Sequence, residues 1–99
     1  MGLTLTTGET MESVKIFTRA LCPKCPAAKD LGKRLEREGV TVFQYDVDTT
    51  DGLAEASFYS IFSTPSLMIE DEEGKEVAGW RGRVPTLGEV KQHLSMGLP

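Results

Sequence analysis

Two cysteines, placed where a strand hands over to a helix, constrain this chain more than any other feature. Val14-Lys15-Ile16-Phe17-Thr18 reads as a strand, Cys22-Pro23-Lys24-Cys25 follows, and Ala28, Leu31 and Leu35 then recur at helical spacing. Asp30 with Arg34, and Arg34 with Glu38, lie four apart on what would be the wet face of that helix. Gly39 is a reasonable stop for it. Val40 to Val47 predicts a second strand with apolar groups on both faces, the pattern of a sheet covered on both sides, and Phe43 and Tyr45 read as core. Asp48, Thr49, Thr50 and Asp51 offer N-caps for a second helix, its face marked by Leu53, Ala56, Ser60 and Ile61. Ser66 to Glu70 and Lys75 to Trp80 predict two strands joined by the polar turn Asp71-Glu72-Glu73-Gly74, a hairpin. Thr86 and Glu89 have capping-box spacing ahead of Val90 and Leu94, so a last helix begins there. The order is β-α-β-α-β-β-α. A parallel βαβ unit followed by a hairpin gives an α/β fold, one mixed four-stranded sheet with helices on both faces.

A chain of 99 residues suits one domain, read as residues 13–99 behind a polar, threonine-rich N-terminal arm of residues 1–12. Within the arm Leu3 and Leu5 alternate, as a short edge strand would. With 39% hydrophobic and 26% charged residues the composition is that of a globular protein rather than a disordered or fibrous one. The net charge of −4 provides no basic face for phosphates, so nucleic acid is not an expected partner. No apolar run approaches the roughly 18 to 20 residues of a membrane helix, and the N-terminus lacks the basic start and apolar stretch of a signal peptide. Neither a membrane nor export is expected. That favours the cytoplasm, where a close cysteine pair is more often catalytic or metal-binding than structural.

The placement of the pair suits thiol–disulfide chemistry. Residues three apart in a helical turn lie on the same side, so their sulfurs can close a disulfide with little backbone movement. Unpaired N–H groups and partial positive charge at the helix N-terminus would stabilise a thiolate at Cys22, and Arg19 and Lys24 add cationic charge. Cys25, deeper in the turn, should be less accessible. Cys22 is then the attacking sulfur and Cys25 the resolving one. A structural zinc site needs about four ligands, whereas the chain has two cysteines and a single histidine, His93, in the last helix. Pro26 complicates the picture, because proline disfavours helical geometry in the residue before it. Either the first turn is loosened or the regular helix starts at Pro26.

Phe17-Thr18-Arg19-Ala20-Leu21-Cys22-Pro23-Lys24-Cys25 resembles the glutaredoxin active-site region, where an aromatic residue, Thr and Lys or Arg lead into a CPxC motif. Ser63-Thr64-Pro65 looks like that family's Thr/Val-Pro element. Together these resemble the thioredoxin/glutaredoxin superfamily over about residues 13 to 96. The resemblance implies a thioredoxin-like fold and a cis Pro65 beside the cysteines, with the Thr64 backbone pairing with the substrate chain. Gly79-Trp80-Arg81-Gly82-Arg83-Val84-Pro85 departs from the Gly-Gly-acidic segment with which glutaredoxins hold glutathione. It looks more like the Trp-Ser-Gly-Phe-Arg-Pro element of redoxins that serve ribonucleotide reductase, which are typically recharged by thioredoxin reductase. Trp80, Gly82 and Pro85 match, and Arg83 is one place from the family arginine.

The expected activity is that of a thiol–disulfide oxidoreductase acting on disulfide-containing proteins, with Cys22 and Cys25 catalytic. Arg19, Pro23, Lys24, Thr64, Pro65 and Trp80 are the candidate substrate-binding residues, although for Trp80 core packing weighs about equally. Thioredoxin reductase or glutathione is the electron source, no metal or tightly bound cofactor is expected, and a monomer is expected. The alternatives are a glutathione-dependent glutaredoxin and an iron–sulfur or metal-binding glutaredoxin-like module, a dimer in which Cys22 of each chain and glutathione are ligands.

Overall fold

The computed structural model describes residues 11–94. Most of the arm, with Leu3 and Leu5, lies outside the described residues. The chain runs through β1 (Ser13–Thr18), α1 (Cys25–Arg37), β2 (Thr41–Asp46), α2 (Thr50–Phe58), β3 (Ser66–Glu70), β4 (Glu76–Arg81) and α3 (Leu87–Lys91). This is the element order expected from the sequence. The sheet order is β2-β1-β3-β4, with β1 parallel to β2 and antiparallel to β3, and β3 antiparallel to β4.

Alternation along the central strands sorts the interior into two layers. Val14, Ile16, Leu67 and Ile69 face α1 and α3, where they meet Ala28, Leu31, Leu35 and Val90. Phe17 and Met68 face the other way and pack with Ala56, Val47 and Ile61 beneath α2. Helices therefore cover both faces of the sheet. Three of the helix ends have a plain local cause. Gly39 takes a φ of 92° just past α1, the left-handed geometry that stops a helix. The Thr49 side chain accepts from the Gly52 amide at the start of α2. Thr86 and Glu89 form a reciprocal capping box at the start of α3. Since α3 is only five residues long, that cap carries much of its definition. Thr86→Ala should cost about 1 kcal/mol and lower the melting temperature by about 4 to 8 °C, as scanning calorimetry would read.

Three expectations need correction. Phe43 lies on the edge strand β2 and is 44% exposed rather than core, although helices cover both faces of the sheet as a whole. Tyr45 is partly buried through its stack on Phe17, with ring centroids 5.3 Å apart. α2 ends at Phe58 with Tyr59 as its cap; Ser60 takes a left-handed φ of 57° and lies outside the helix. Leu53, read as part of the buried face of α2, is exposed, and the small residues Gly52 and Ala56 are the ones that approach the sheet.

Beneath α2 lies a cluster that hydropathy alone conceals. Lys15, on β1, points into the α2 layer with its side chain only 9% exposed. Its ammonium pairs with Glu55 of α2 and, at 3.1 Å, with Glu70 of β3. The Tyr59 hydroxyl donates to Glu70 at 2.6 Å, and the Lys15 ammonium lies 4.8 Å from the Tyr59 ring centroid. One cation thus ties the sheet, α2 and the segment after it.

Candidate active site

The sheet delivers the cysteines to one end. β1 stops at Thr18, and the chain turns through Leu21, which has a left-handed φ of 60° and a fully exposed side chain, to reach Cys22. A backbone bond from the Cys25 amide to the Cys22 carbonyl, 3.2 Å, closes the turn between them. The two cysteines form a disulfide with Cα atoms 5.3 Å apart. They are not equivalent: Cys22 is partly exposed, while Cys25 is 2% exposed and sits in the first turn of α1.

Helix α1 begins at Cys25 with Lys24 in the cap position, so Pro26 is the second helical residue, where its missing N–H leaves no helical bond unmade. Cys22 precedes the helix rather than capping it. Among the described residues no side chain caps this end, and no acidic residue occupies its first turn. The positive end of α1 is therefore left unneutralised by its own residues, facing the cysteine turn.

Across from the cysteines, the Thr64–Pro65 peptide bond is cis, as the resemblance implies. Cys22, Pro23, Lys24, Thr64, Pro65 and Gly82 line one groove of about 230 Å³. Five of the residues singled out from the sequence thus come together. Gly82, which sequence reasoning matched to a family element without giving it a place at the site, forms the remaining wall. Its φ of 84° marks a tight turn after β4 that favours glycine.

Two candidates fall elsewhere. The Arg19 guanidinium lies 3.5 Å from the Asp48 carboxylate and lines a second groove, of about 220 Å³, with Leu53, Ile61, Phe62 and Thr64. Its charge is shared with Asp48 rather than reserved for Cys22. Trp80 does not line either groove; it packs against the α1 and α3 layer with its ring 5.7 Å from that of His93. Placed opposite Leu67 in the β3–β4 pairing, it is a core-edge residue. The second groove was missed because Leu53 reads as an inward helix residue; Phe62, 86% exposed, adjoins Ser63-Thr64-Pro65 and was the available signal. The two grooves meet at Thr64.

Arg81 and Arg83 are engaged locally. Arg81 makes two bonds to Glu76, 2.9 and 3.0 Å, and one to the Tyr59 carbonyl, while Arg83 pairs with Glu89 at 3.1 Å. Among the described residues no group of three or more His, Cys, Asp or Glu could hold a metal ion, and no helix is long and apolar enough to cross a membrane.

Comparison with known proteins places this arrangement. A family model described as a thioredoxin domain matches residues 12–95. A probable thioredoxin from Archaeoglobus fulgidus is 37% identical over 83 residues, covering 83% of this chain and 85% of that protein. Among solved structures, reduced thioredoxin pre-protein from Schistosoma mansoni superposes with a TM-score of 0.67 at 21% identity, over 86% of this chain and 76% of the other. A mutant thioredoxin from Halobacterium salinarum NRC-1 gives 0.68 at 22% identity, over 83% and 70%. These two similarities establish the shared fold. The chain belongs to the thioredoxin-domain family and is a thiol–disulfide oxidoreductase whose redox-active pair is Cys22 and Cys25.

Proposed function

We propose that the protein reduces disulfides in other proteins by a dithiol mechanism, with Cys22 attacking and Cys25 resolving. The observation that carries this is the asymmetry of the pair: Cys22 opens onto the groove beside Pro65, and Cys25 is buried behind it. In the reduced protein the Cys22 thiolate attacks one sulfur of a substrate disulfide; that S–S bond breaks and the departing thiolate takes a proton. Cys25 then loses its proton and attacks the Cys22 sulfur, expelling the second substrate thiolate, which takes a proton in turn; the two protons gained match those given up by Cys22 on ionising and by Cys25. Two electrons and two protons pass to the substrate, and the Cys22–Cys25 disulfide is left. Lys24 and the open N-terminus of α1 favour the thiolate at Cys22. The Thr64 backbone at the groove edge receives the substrate chain, and the apolar wall formed by Leu53, Ile61 and Phe62 extends the contact surface past it.

Thioredoxin reductase, rather than glutathione, is the electron source in this reading, and the protein works as a monomer in a reducing compartment such as the cytoplasm, with no bound cofactor or metal. The turn after β4 supports the choice of donor. Glu89, the nearest acidic side chain downstream of Gly82, is already engaged by Arg83 and by the Thr86 amide. Offering the oxidised protein NADPH with thioredoxin reductase should reduce it rapidly. Rapid reduction only by NADPH with glutathione and glutathione reductase would reverse the assignment.

A further inference from the structure

We infer that Ser66 is a positioning residue for substrate capture: its buried hydroxyl fixes the spacing between the two walls that face Cys22. The inference rests on the proposed reading that the substrate chain lies in the groove between Cys22, Pro65 and Gly82.

Those walls come from distant parts of the chain. One is the Thr64–Pro65 segment before β3, and the other is the Gly82 turn after β4. Two bridges connect them. The Gly82 amide donates to the Pro65 carbonyl at 2.9 Å, and it also reaches the Ser66 hydroxyl oxygen at 3.3 Å. The same hydroxyl donates to the Ser63 carbonyl at 2.8 Å, folding the segment before Pro65 back onto β3, and it lies 3.5 Å from the Ser63 hydroxyl. Ser66 is fully buried, so no solvent competes for these bonds. It lines neither groove and touches no reacting sulfur, yet it is bonded on both sides of the segment that presents Thr64 and Pro65. An alanine there would pack without crowding but would leave the Ser63 carbonyl without this partner and loosen the Gly82 turn.

The consequence falls on binding rather than on the sulfur. In Ser66→Ala, KM for an extended disulfide peptide should rise about fivefold to tenfold, the scale of a lost hydrogen bond, with kcat within about twofold. The rate at which iodoacetamide alkylates Cys22 in the reduced protein, and its pH profile, should be those of the parent protein. These measurements belong at a temperature where denaturation curves show both proteins folded, so that lower stability alone would leave KM where it was. An unchanged KM, or an alkylation rate that falls in proportion to activity, would overturn the inference. If Ser66→Ala does not fold, NMR on the parent protein decides: the Ser66 hydroxyl proton, bonded to the Ser63 carbonyl, should exchange slowly enough to be observed without substrate, and a hydroxyl that exchanges at the solvent rate would overturn the inference. A parent protein that shows no peptide reduction at all would instead sink the functional reading on which the inference depends.

Discussion

Cys22→Ser should lower disulfide-reductase activity by at least about a thousandfold, because a serine hydroxyl offers no thiolate at neutral pH and forms no mixed disulfide. The fold should survive. Cys22 lies outside both apolar layers and before the first turn of α1, so the replacement leaves the packing of Ala28, Leu31 and Leu35 untouched. What the variant loses besides chemistry is the internal disulfide, which closes only a short loop and constrains the unfolded chain little. Insulin reduction with the parent protein as reference reads the activity, and circular dichroism reads the fold. Residual activity within about tenfold of the parent would mean that another sulfur, with only Cys25 available, can attack substrate.

Lys15→Met should be strongly destabilising. It retains the apolar stem but removes the cation that pairs with Glu55 and Glu70 beneath α2. Breaking a fully buried pair by deleting one partner costs about 3 to 5 kcal/mol; with Glu55 27% and Glu70 15% exposed, solvent screens part of that and about 2 to 3 kcal/mol is expected. A domain of this size has about 5 to 15 kcal/mol in total, so the loss would be plain in urea unfolding. Converting both carboxylates as well, in Lys15→Met with Glu55→Gln and Glu70→Gln, should recover most of it, because no uncompensated charge remains. A cost below about 1 kcal/mol for Lys15→Met alone would show that the cluster is not a fastening of α2.

The pH dependence of that effect has a defined sign. Burial by itself would lower the Lys15 pKa, but the hydrogen bonds it donates to Glu55 and Glu70, and their charge, outweigh it and raise the group above its ordinary 10.5. A cation whose folded-state pKa is raised contributes fully below the unfolded value and loses its contribution as pH rises through the folded one. The penalty of Lys15→Met should therefore be constant between about pH 7 and 9 and shrink only in strongly alkaline solution, above the ordinary lysine range. A penalty already shrinking between those two values would contradict the raised pKa.

Periodicity and punctuation make most of the architecture legible in the sequence. The strand of Val14 to Thr18, the Gly39 stop, the Asp71 to Gly74 turn and the Thr86–Glu89 capping box are local signals, and each has a local physical cause. The errors came from what only the assembled sheet decides. Val40 to Val47 is apolar on both faces, yet β2 lies at the edge of the sheet and leaves Phe43 in solvent. Nothing in the run Val14 to Thr18 marks Lys15 as buried, and it is two carboxylates distant in sequence that make its burial tolerable. At the site, Cys22, Cys25, Thr64 and Pro65 could be read because their motifs are short and contiguous. Arg19 and Trp80 could not be placed in that way, since Asp48 draws one aside and the α1 and α3 layer takes up the other. Gly82 and Ser66 matter through hydrogen bonds across the sheet end, which no run of neighbouring residues announces.

The division of labour between the sulfurs is tested most directly by Cys25→Ser, reduced and mixed with a disulfide-bonded substrate protein. The account predicts a stable one-to-one adduct that dithiothreitol releases, with the cross-link mapped by mass spectrometry to Cys22 and multiple turnover largely lost. Full dithiol activity in Cys25→Ser, or Cys22→Ser forming an equally abundant adduct through Cys25, would contradict the assignment of Cys22 as attacker and Cys25 as resolver.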